Sequence, residues 1–124
     1  MTAVAQKEHT EARAVLRYIK MSPLKIRRIL DQIRGKNALE AVQILSILPH
    51  KAARLAEKVL QSAIANAGTN HKMNKDALLV SHAVADQAFI LKRFRAASRG
   101  RAASIHKKLS HVTIGLKEST KEKK

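Results

Sequence analysis

The chain has 124 residues, with 25 Lys and Arg against 9 Asp and Glu, and a formal net charge of +16. Repulsion among so many like charges opposes compaction unless an anionic partner neutralises them. The absence of cysteine excludes disulfide frameworks, thiolate metal sites and cysteine nucleophiles. Apolar residues make up 45%, too many for a wholly disordered basic tail, and no apolar run approaches the ~20 residues of a membrane span. Composition predicts one soluble intracellular domain with a polyanionic partner.

The chain begins with the signals of a strand and a helix. Residues 12–20 are rich in β-branched and aromatic side chains, which favour a short strand. Ser22 and Pro23 are an N-cap followed by a proline at the first helical position, and Gly35 is placed to end the helix. The apolar residues of this helix recur with helical period: Ile26, Ile29, Leu30 and Ile33.

Some charged residues of this first helix are placed to form an ion pair, and others are placed to remain exposed. Asp31 lies four residues after Arg27, a spacing at which helical side chains form ion pairs. Lys25 and Arg28 point away from the apolar stripe. We therefore predict an Asp31–Arg27 pair that leaves Lys25 and Arg28 available to bind an anionic ligand.

Two further helices are predicted before the middle of the chain. The second begins at Asn37 and ends before Pro49, and the third covers about residues 51–67 and is terminated by Gly68. The apolar stripe of the third helix consists of Leu55, Val59, Leu60 and Ala63. Because the breaks between these helices are short, the helices must pack directly against their neighbours.

The second half of the chain changes to the period of β-strands. Residues 78–85 are strand-like with an imperfect alternation that allows a β-bulge, and residues 111–116 alternate strictly. A small, basic segment between them contains a turn glycine, Gly100. We predict that residues 78–116 form a hairpin whose two strands meet near Arg99 and Gly100.

This hairpin is longer than a domain of this size needs. The extended chain from Ala85 to Ser98 would span roughly 40 Å, so the tip is expected to project beyond the core. Between Asp86 and Glu118 there are eight basic residues and no acidic one. A two-stranded ribbon of this charge is marginal by itself in water, and we expect it to be mobile when free and ordered when an anion surrounds it.

Motifs for catalysis or metal binding are not found in the sequence. None of the six histidines has the i, i+4 spacing with another on a predicted helix, and no carboxylate cluster accompanies them. The sequence contains no Gly-x-Ser-x-Gly nucleophile elbow and no phosphate-binding loop. The nine acidic residues are scattered and offer no carboxylate pair for acid–base chemistry. We predict a protein that is not an enzyme and holds neither metal nor cofactor.

The abundant cations are suited to a nucleic acid. Arginine and lysine bind phosphates, and such binding weakens steeply with salt because counterions are released. No predicted helix has the character of a DNA-reading recognition helix. The aromatic residues are Tyr18, Phe89 and Phe94, and a platform for stacking single-stranded bases is not expected from them. The remaining mode is recognition of a folded RNA by its shape and phosphates, with the hairpin inserted between RNA helices.

Four blocks of sequence follow one another over roughly residues 12–116. They are Arg17-Tyr18 leading into Ser22-Pro23-Leu24-Lys25-Ile26-Arg27; Asp31-Gln32-Ile33-Arg34-Gly35-Lys36; residues 51–67, from Lys51-Ala52-Ala53 to Ala65-Asn66-Ala67; and Lys92-Arg93, Arg99-Gly100-Arg101-Ala102, Ile105 and Ser110-His111-Val112-Thr113. In this order and spacing the blocks resemble the large-subunit ribosomal protein twenty-two family, whose members carry a long hairpin that lines the nascent-peptide exit tunnel.

The resemblance implies an α+β fold in which three helices pack on a small antiparallel sheet and a long β-hairpin projects from the globular domain. Residues 1–11 would be an N-terminal tail, 12–117 a single domain, and 118–124 a basic C-terminal tail. Within the domain, residues 78–116 would form the hairpin strands and extended loop, with the tip at about 95–102.

The resemblance also implies a function. The chain would be a structural constituent of the large ribosomal subunit in the cytoplasm, bind its RNA, support subunit assembly and insert the hairpin along the exit tunnel. Implied partners are large-subunit ribosomal RNA, neighbouring ribosomal proteins including one at the tunnel constriction, and the nascent polypeptide. Neither a membrane nor a second copy of the chain is implied. The alternative is an architectural DNA-binding protein of the nucleoid, which the same charge permits.

By position in the family's motifs, a set of residues is expected to bind RNA. In the globular part they are Arg17, Lys20, Lys25, Arg28 and Lys36. Along the hairpin they are Lys92, Arg93, Arg95, Arg99, Arg101, Lys107 and Lys108. At its base, Ser110 and His111 either bond phosphate or complete the sheet. The tip in the tunnel would consist of Ala96, Ala97, Ser98, Arg99, Gly100 and Arg101. Many relatives have Gly-Pro at Ala88-Phe89 and Pro-Arg at Ala96-Ala97, so the resemblance does not define the bend of the hairpin or the contacts of its tip.

Overall fold

The computed structural model describes residues 11–118 of the chain. Its elements are β1 (Ala12–Ile19), α1 (Pro23–Ile33), α2 (Ala38–Ile47), α3 (Lys51–Thr69), β2 (Leu78–Ala96) and β3 (Ala102–Glu118). The strands form one antiparallel sheet in the order β1-β3-β2. The predicted α+β fold, with three helices on a small antiparallel sheet and a long hairpin, is confirmed. The predicted tails lie outside the described residues, except for Glu11 and for Glu118, which ends β3.

Helix α1 begins and ends at the predicted signals. The Ser22 hydroxyl accepts the backbone N–H of Leu24 at 3.3 Å, and Pro23 occupies the first helical position. Gly35 follows the helix with φ +83°, a conformation that glycine adopts without steric cost. The predicted apolar stripe is confirmed, since all of its members are buried: Ile26, Ile29, Leu30 and Ile33.

Helix α3 continues past its predicted end. Gly68 lies inside the last turn, and the helix stops only at Thr69, with Asn70 as its C-cap. A Cβ atom on Gly68 would lie 2.5 Å from Cε of Lys75. The prediction that Gly68 terminates α3 was therefore wrong: this glycine gives space to the lysine side chain from the following loop and keeps its helical backbone.

The basic residues of α1 also form contacts that differ from the prediction. Asp31 pairs with Arg34, at 2.6 Å between Oδ1 and Nη1, and not with Arg27. Arg27 donates from Nε to the carbonyl oxygen of Ala85 at 2.9 Å, and Arg34 donates from Nε and Nη2 to the carbonyl oxygen of Ala83. Since β2 is an outer strand of the sheet, its outward carbonyls need partners, and these two arginines supply them.

The helices cover one face of the sheet, and the core lies between the helices and the sheet. Alternate residues of the central strand β3, namely Val112, Ile114 and Leu116, are buried against this layer. Helix α3 contributes mostly alanines, together with Val59 and Leu60. Of its predicted stripe, Leu55 is only partly buried, because it packs at the margin of the core. The small alanine side chains allow α3 to approach the sheet closely.

The hairpin extends well beyond this core. Strand β1 pairs with β3 only as far as Ser110, so residues 90–108 consist of β2 and β3 paired with each other. We call residues 90–108 the arm. None of its residues is buried. The predicted meeting point of the strands is confirmed: a short turn at Ser98–Gly100 has positive φ angles at both Arg99 and Gly100.

Two irregularities interrupt the ladder between β2 and β3. The first lies between Val80 and His82, where the imperfect alternation allowed a bulge. The second leaves Ala88 and Phe89 opposite Leu109, which is the position where the bend of the hairpin was undefined. A bulge at this point increases the local twist and re-aims the strand.

Candidate nucleic-acid interface

A groove lies between the N-terminal end of α1 and the base of the arm, with a volume of about 440 Å³. The basic residues that line it, with His106, are Lys20, Lys25, Lys107 and Lys108. We call this set the basic groove. None of the residues lining it is acidic. The first two lysines come from the start of the chain and the last two from β3, so only the folded protein brings the four charges together.

A second depression of about 340 Å³ adjoins the basic groove and shares Lys25 with it. It contains Arg28, which was predicted to be available for an anion, together with His50 and Lys51 at the start of α3. The side chain of His50 makes no capping hydrogen bond, so the first N–H groups of α3 have no partner from it. The sequence reasoning did not assign His50 or Lys51 to the interface, because no local pattern indicates that the beginnings of α1 and α3 meet.

The arm carries its cations on both faces of the ribbon. Residues directly opposite each other in an antiparallel ladder share a face. Lys92 is opposite His106 and Lys108 is opposite Ile90, whereas Arg93, Arg95 and Lys107 lie on the other face, opposite Ile105, Ala103 and Leu91. No lysine or arginine of the paired arm residues faces another lysine or arginine directly, which limits like-charge repulsion across the ladder. Such a ribbon presents positive charge in two directions, as an insertion between anionic walls requires.

The structure brings together some of the predicted RNA-binding residues and separates others. Lys20, Lys25, Lys107 and Lys108 share the basic groove, and Arg28 adjoins it. Lys36 follows the other end of α1, about 16 Å from the groove along the helix. Arg99 and Arg101 lie at the exposed turn of the arm. Part of the predicted set therefore forms one cluster at the base of the arm, whereas the remaining arm residues are spread along the ribbon and Lys36 lies at the far end of α1.

The two polar residues at the base of the hairpin have different surroundings. Ser110 is fully buried, and its hydroxyl donates to the carbonyl oxygen of Met21 at 2.6 Å. This favours the second of its two expected roles, which is to complete the structure around the sheet. His111 is partly exposed and accepts the backbone N–H of Tyr18 on Nδ1 at 3.1 Å. In the neutral imidazole this leaves the ring proton on Nε2, where it can be donated.

Ser110→Ala is expected to lower the free energy of unfolding by about 1–2 kcal/mol, because it removes the partner of a partly buried carbonyl. RNA affinity should not change, since the hydroxyl faces the protein interior. Denaturant unfolding and RNA titration of the same variant measure both effects. Ser104→Ala, at an exposed arm position, is the control and should change stability by less than about 0.5 kcal/mol. Loss of RNA affinity at unchanged stability would instead assign Ser110 to phosphate.

Aromatic residues that are distant in sequence meet at the base of the arm. The sequence predicted no stacking platform, and Tyr18 and Phe89 are 71 positions apart. In the structure the ring centroids of these two residues are 5.6 Å apart, and the Tyr18 ring lies 4.7 Å from that of His111. We call these three residues the aromatic cluster. No local signal could have revealed it, because it depends on the pairing of both outer strands with β3.

The part of the chain that the structure describes shows no group of three His, Cys, Asp or Glu residues able to hold a metal ion. Within the same residues, no helix is long and apolar enough to cross a membrane. The described features define a small basic α+β protein whose cationic groove continues into a cationic β-arm.

Comparison with known proteins identifies the family. The model of the family described as ribosomal protein L22p/L17e matches residues 14–117. The large ribosomal subunit protein uL22c of Rhodomonas salina is 47% identical over 111 residues, which are 90% of this chain and 94% of the relative. The large ribosomal subunit protein uL22 of Staphylococcus aureus (strain JH9) is 47% identical over 114 residues, 92% of this chain and 97% of the relative. This chain belongs to the ribosomal protein L22p/L17e family, and the resemblance found in its sequence is confirmed.

Proposed function

We propose that this protein binds large-subunit ribosomal RNA through the basic groove, supports subunit assembly and extends its arm along the nascent-peptide exit tunnel. Its family membership makes it a structural constituent of the large ribosomal subunit, with the predicted cytoplasmic location. The alternative of an architectural nucleoid protein has no support from the relatives, which are named as ribosomal proteins. The family is structural and not enzymatic, and we propose that this chain likewise has no catalytic activity.

The observation that carries the RNA-binding proposal is the convergence of Lys20, Lys25, Lys107 and Lys108 in one groove. Folding draws these four ammonium groups toward one another, which is unfavourable unless an anion is present. Neighbouring phosphates of an RNA backbone can occupy such a groove, and each contact releases counterions. Arg28 and Lys51 in the adjoining depression would extend the same path across the beginnings of α1 and α3.

The arm supports the tunnel proposal through its composition and exposure. It extends about 25 Å from Ile90 to the turn at Ser98, since each strand residue rises about 3.3 Å. Its end carries small side chains on either side of Arg99 and Arg101, from Ala96 to Ser98 and at Ala102 and Ala103, and these fit a confined space better than bulky ones. Because both faces of the ribbon are cationic, the arm is suited to an environment with RNA on more than one side.

Sedimentation of a cell lysate tests the association with the particle. The tagged protein should be found in large-subunit particles at moderate salt, and should leave them only at salt high enough to displace phosphate contacts. Finding most of the protein outside these particles at moderate salt would contradict the proposal. Release as a complex with DNA would favour the nucleoid alternative.

Site-specific photo-crosslinking tests the position of the arm. A photoreactive amino acid at Ser98, in the turn of the arm, should crosslink to the nascent chain in a stalled ribosome. The same group at Ser46, at an exposed position of α2, is the control and should give no such product. Equal crosslinking from the two positions, or none from Ser98, would show that the arm does not line the tunnel, without affecting the RNA-binding proposal.

A further inference from the structure

The aromatic cluster has an unusual construction for an exposed site. Tyr18 and Phe89 lie on the two outer strands and leave 56% and 55% of their surfaces exposed. Their rings meet over the central strand β3, which contributes His111 edge-on against the Tyr18 ring. Exposed aromatic rings lose contact with water when they bind a flat apolar surface, so an exposed cluster of rings is a candidate binding surface.

Tyr18 and Phe89 both lie on irregular backbone. The ladder between β1 and β3 shifts between Leu16 and Ile19, and the ladder between β2 and β3 shifts next to Phe89. Tyr18 itself has φ +57°, a conformation that is unfavourable for a bulky residue, and its backbone N–H is tied to Nδ1 of His111. Strain of this kind persists only where the surrounding structure over-determines it, and it concentrates at functional sites.

The surroundings of the cluster contain the groups that a nucleotide requires. Arg17 and Lys20 flank Tyr18 in sequence, and Lys108 is paired with Ile90, directly after Phe89. Lys20 and Lys108 also line the basic groove, so the groove begins two residues after Tyr18 in the chain and at the ladder pair next to Phe89. Asp86 is opposite His111 in the ladder. A carboxylate acceptor and an imidazole donor therefore border the rings, as the polar edge of a base would need.

We propose that the aromatic cluster of Tyr18, Phe89 and His111 binds one unpaired nucleobase by stacking, while the flanking cations hold its phosphates. This inference rests on the proposed function, because it names what part of the RNA meets this surface. An apolar side chain of a neighbouring protein could also pack against these rings. It would form no hydrogen bond or ion pair with the charged and polar groups beside them, whereas a nucleotide would. Base stacking on aromatic side chains is sequence-tolerant, since every base has a π-face.

Tyrosine fluorescence provides a direct test on the unmodified chain. Tyr18 is the one tyrosine of the protein, and there is no tryptophan, so the emission reports on this ring alone. Titration with an oligoadenylate of about 12 nucleotides should quench most of the emission at saturation, because a stacked base contacts the ring. An abasic ribose-phosphate oligomer of equal length is the matched probe. It should bind through the cations with little quenching.

Variants locate the effect on the cluster. Phe89→Ala should weaken oligoadenylate binding about tenfold, the order of one lost stacking contact. Phe94→Ala is the matched control, since this ring is exposed on the arm outside the cluster, and its effect should stay below about twofold. Tyr18→Phe should retain the affinity for the oligoadenylate, and Tyr18→Ala should weaken it by about the same factor as Phe89→Ala. If Phe89→Ala fails to fold, the quenching of the unmodified protein still decides the question.

The same chain titrated with protein-free large-subunit ribosomal RNA separates this inference from the proposed function. Absence of RNA binding would contradict the proposed function itself. Tight binding with unquenched Tyr18 would overturn the stacking proposal alone and assign the cluster to a protein contact. Equal quenching by the oligoadenylate and the abasic oligomer, or equal losses in Phe89→Ala and Phe94→Ala, would also overturn it.

Discussion

Replacing the four lysines of the basic groove by alanine is expected to weaken binding to protein-free large-subunit ribosomal RNA by about a hundredfold or more near 0.1 M salt. The residues are Lys20, Lys25, Lys107 and Lys108. Each phosphate contact contributes about 0.7 to 0.9 to the slope of log affinity against log salt, so the slope should fall by about 3. Mobility-shift titrations over a range of salt concentrations measure both quantities.

A control variant separates the groove from the overall charge. Lys58, Lys72, Lys75 and Lys117 are exposed and do not line the groove. Replacing these four by alanine removes the same charge, yet the affinity should fall by less than about tenfold, because only the diffuse field of the protein changes. If both variants lose the same affinity and the same slope, binding depends on net charge and the groove has no special role.

Replacing Ile114 by alanine is expected to lower the free energy of unfolding by about 3–5 kcal/mol, the upper part of the range for such substitutions. Ile114 is fully buried in the central strand, and the residues beside it in the ladders are Ala14 and Ala83. These small neighbours cannot fill the cavity that the truncation leaves. Since a domain has only about 5–15 kcal/mol of stability, the midpoint of the cooperative unfolding transition should move to a much lower denaturant concentration.

The matched control is Ile47→Ala. Ile47 ends α2 with 79% of its surface exposed, so the same truncation there removes almost no buried area. Its effect should stay below about 0.5 kcal/mol in the same denaturant titration. A small effect of Ile114→Ala, close to that of the control, would contradict the position of β3 at the centre of the core.

Helix α1 shows how much of the fold the sequence predicts. The cap at Ser22, the apolar stripe and the glycine after the last turn are all local signals, and the structure contains each of them. Gly68 shows the limit of such signals. A glycine near the end of a helical pattern predicts that the helix ends there. In the folded protein Gly68 instead makes room for the side chain of Lys75, which follows α3 in the chain, and this contact exists only after folding.

Ion pairs were predicted less well than helices for a related reason. The spacing of Asp31 and Arg27 in the helix permits an ion pair. It carries no information about the backbone carbonyls of the sheet, which compete with Asp31 for the Arg27 guanidinium. The outward carbonyls of β2 are partly buried and need donors, whereas an exposed ion pair contributes little. Arg27 therefore bonds Ala85, and Asp31 pairs with Arg34.

The sequence by itself determined that this protein is a basic α+β domain with a long cationic hairpin. Net charge follows from composition alone, and helical period and strand alternation follow from residues that are close together in the chain. Its motifs also indicated the ribosomal family, which the comparisons established. Only the tertiary structure decided which charges converge and which rings meet. The basic groove joins Lys20 to Lys108, and the aromatic cluster joins Tyr18 to Phe89. Both depend on strand pairing over long sequence separations, for which charge and period contain no signal.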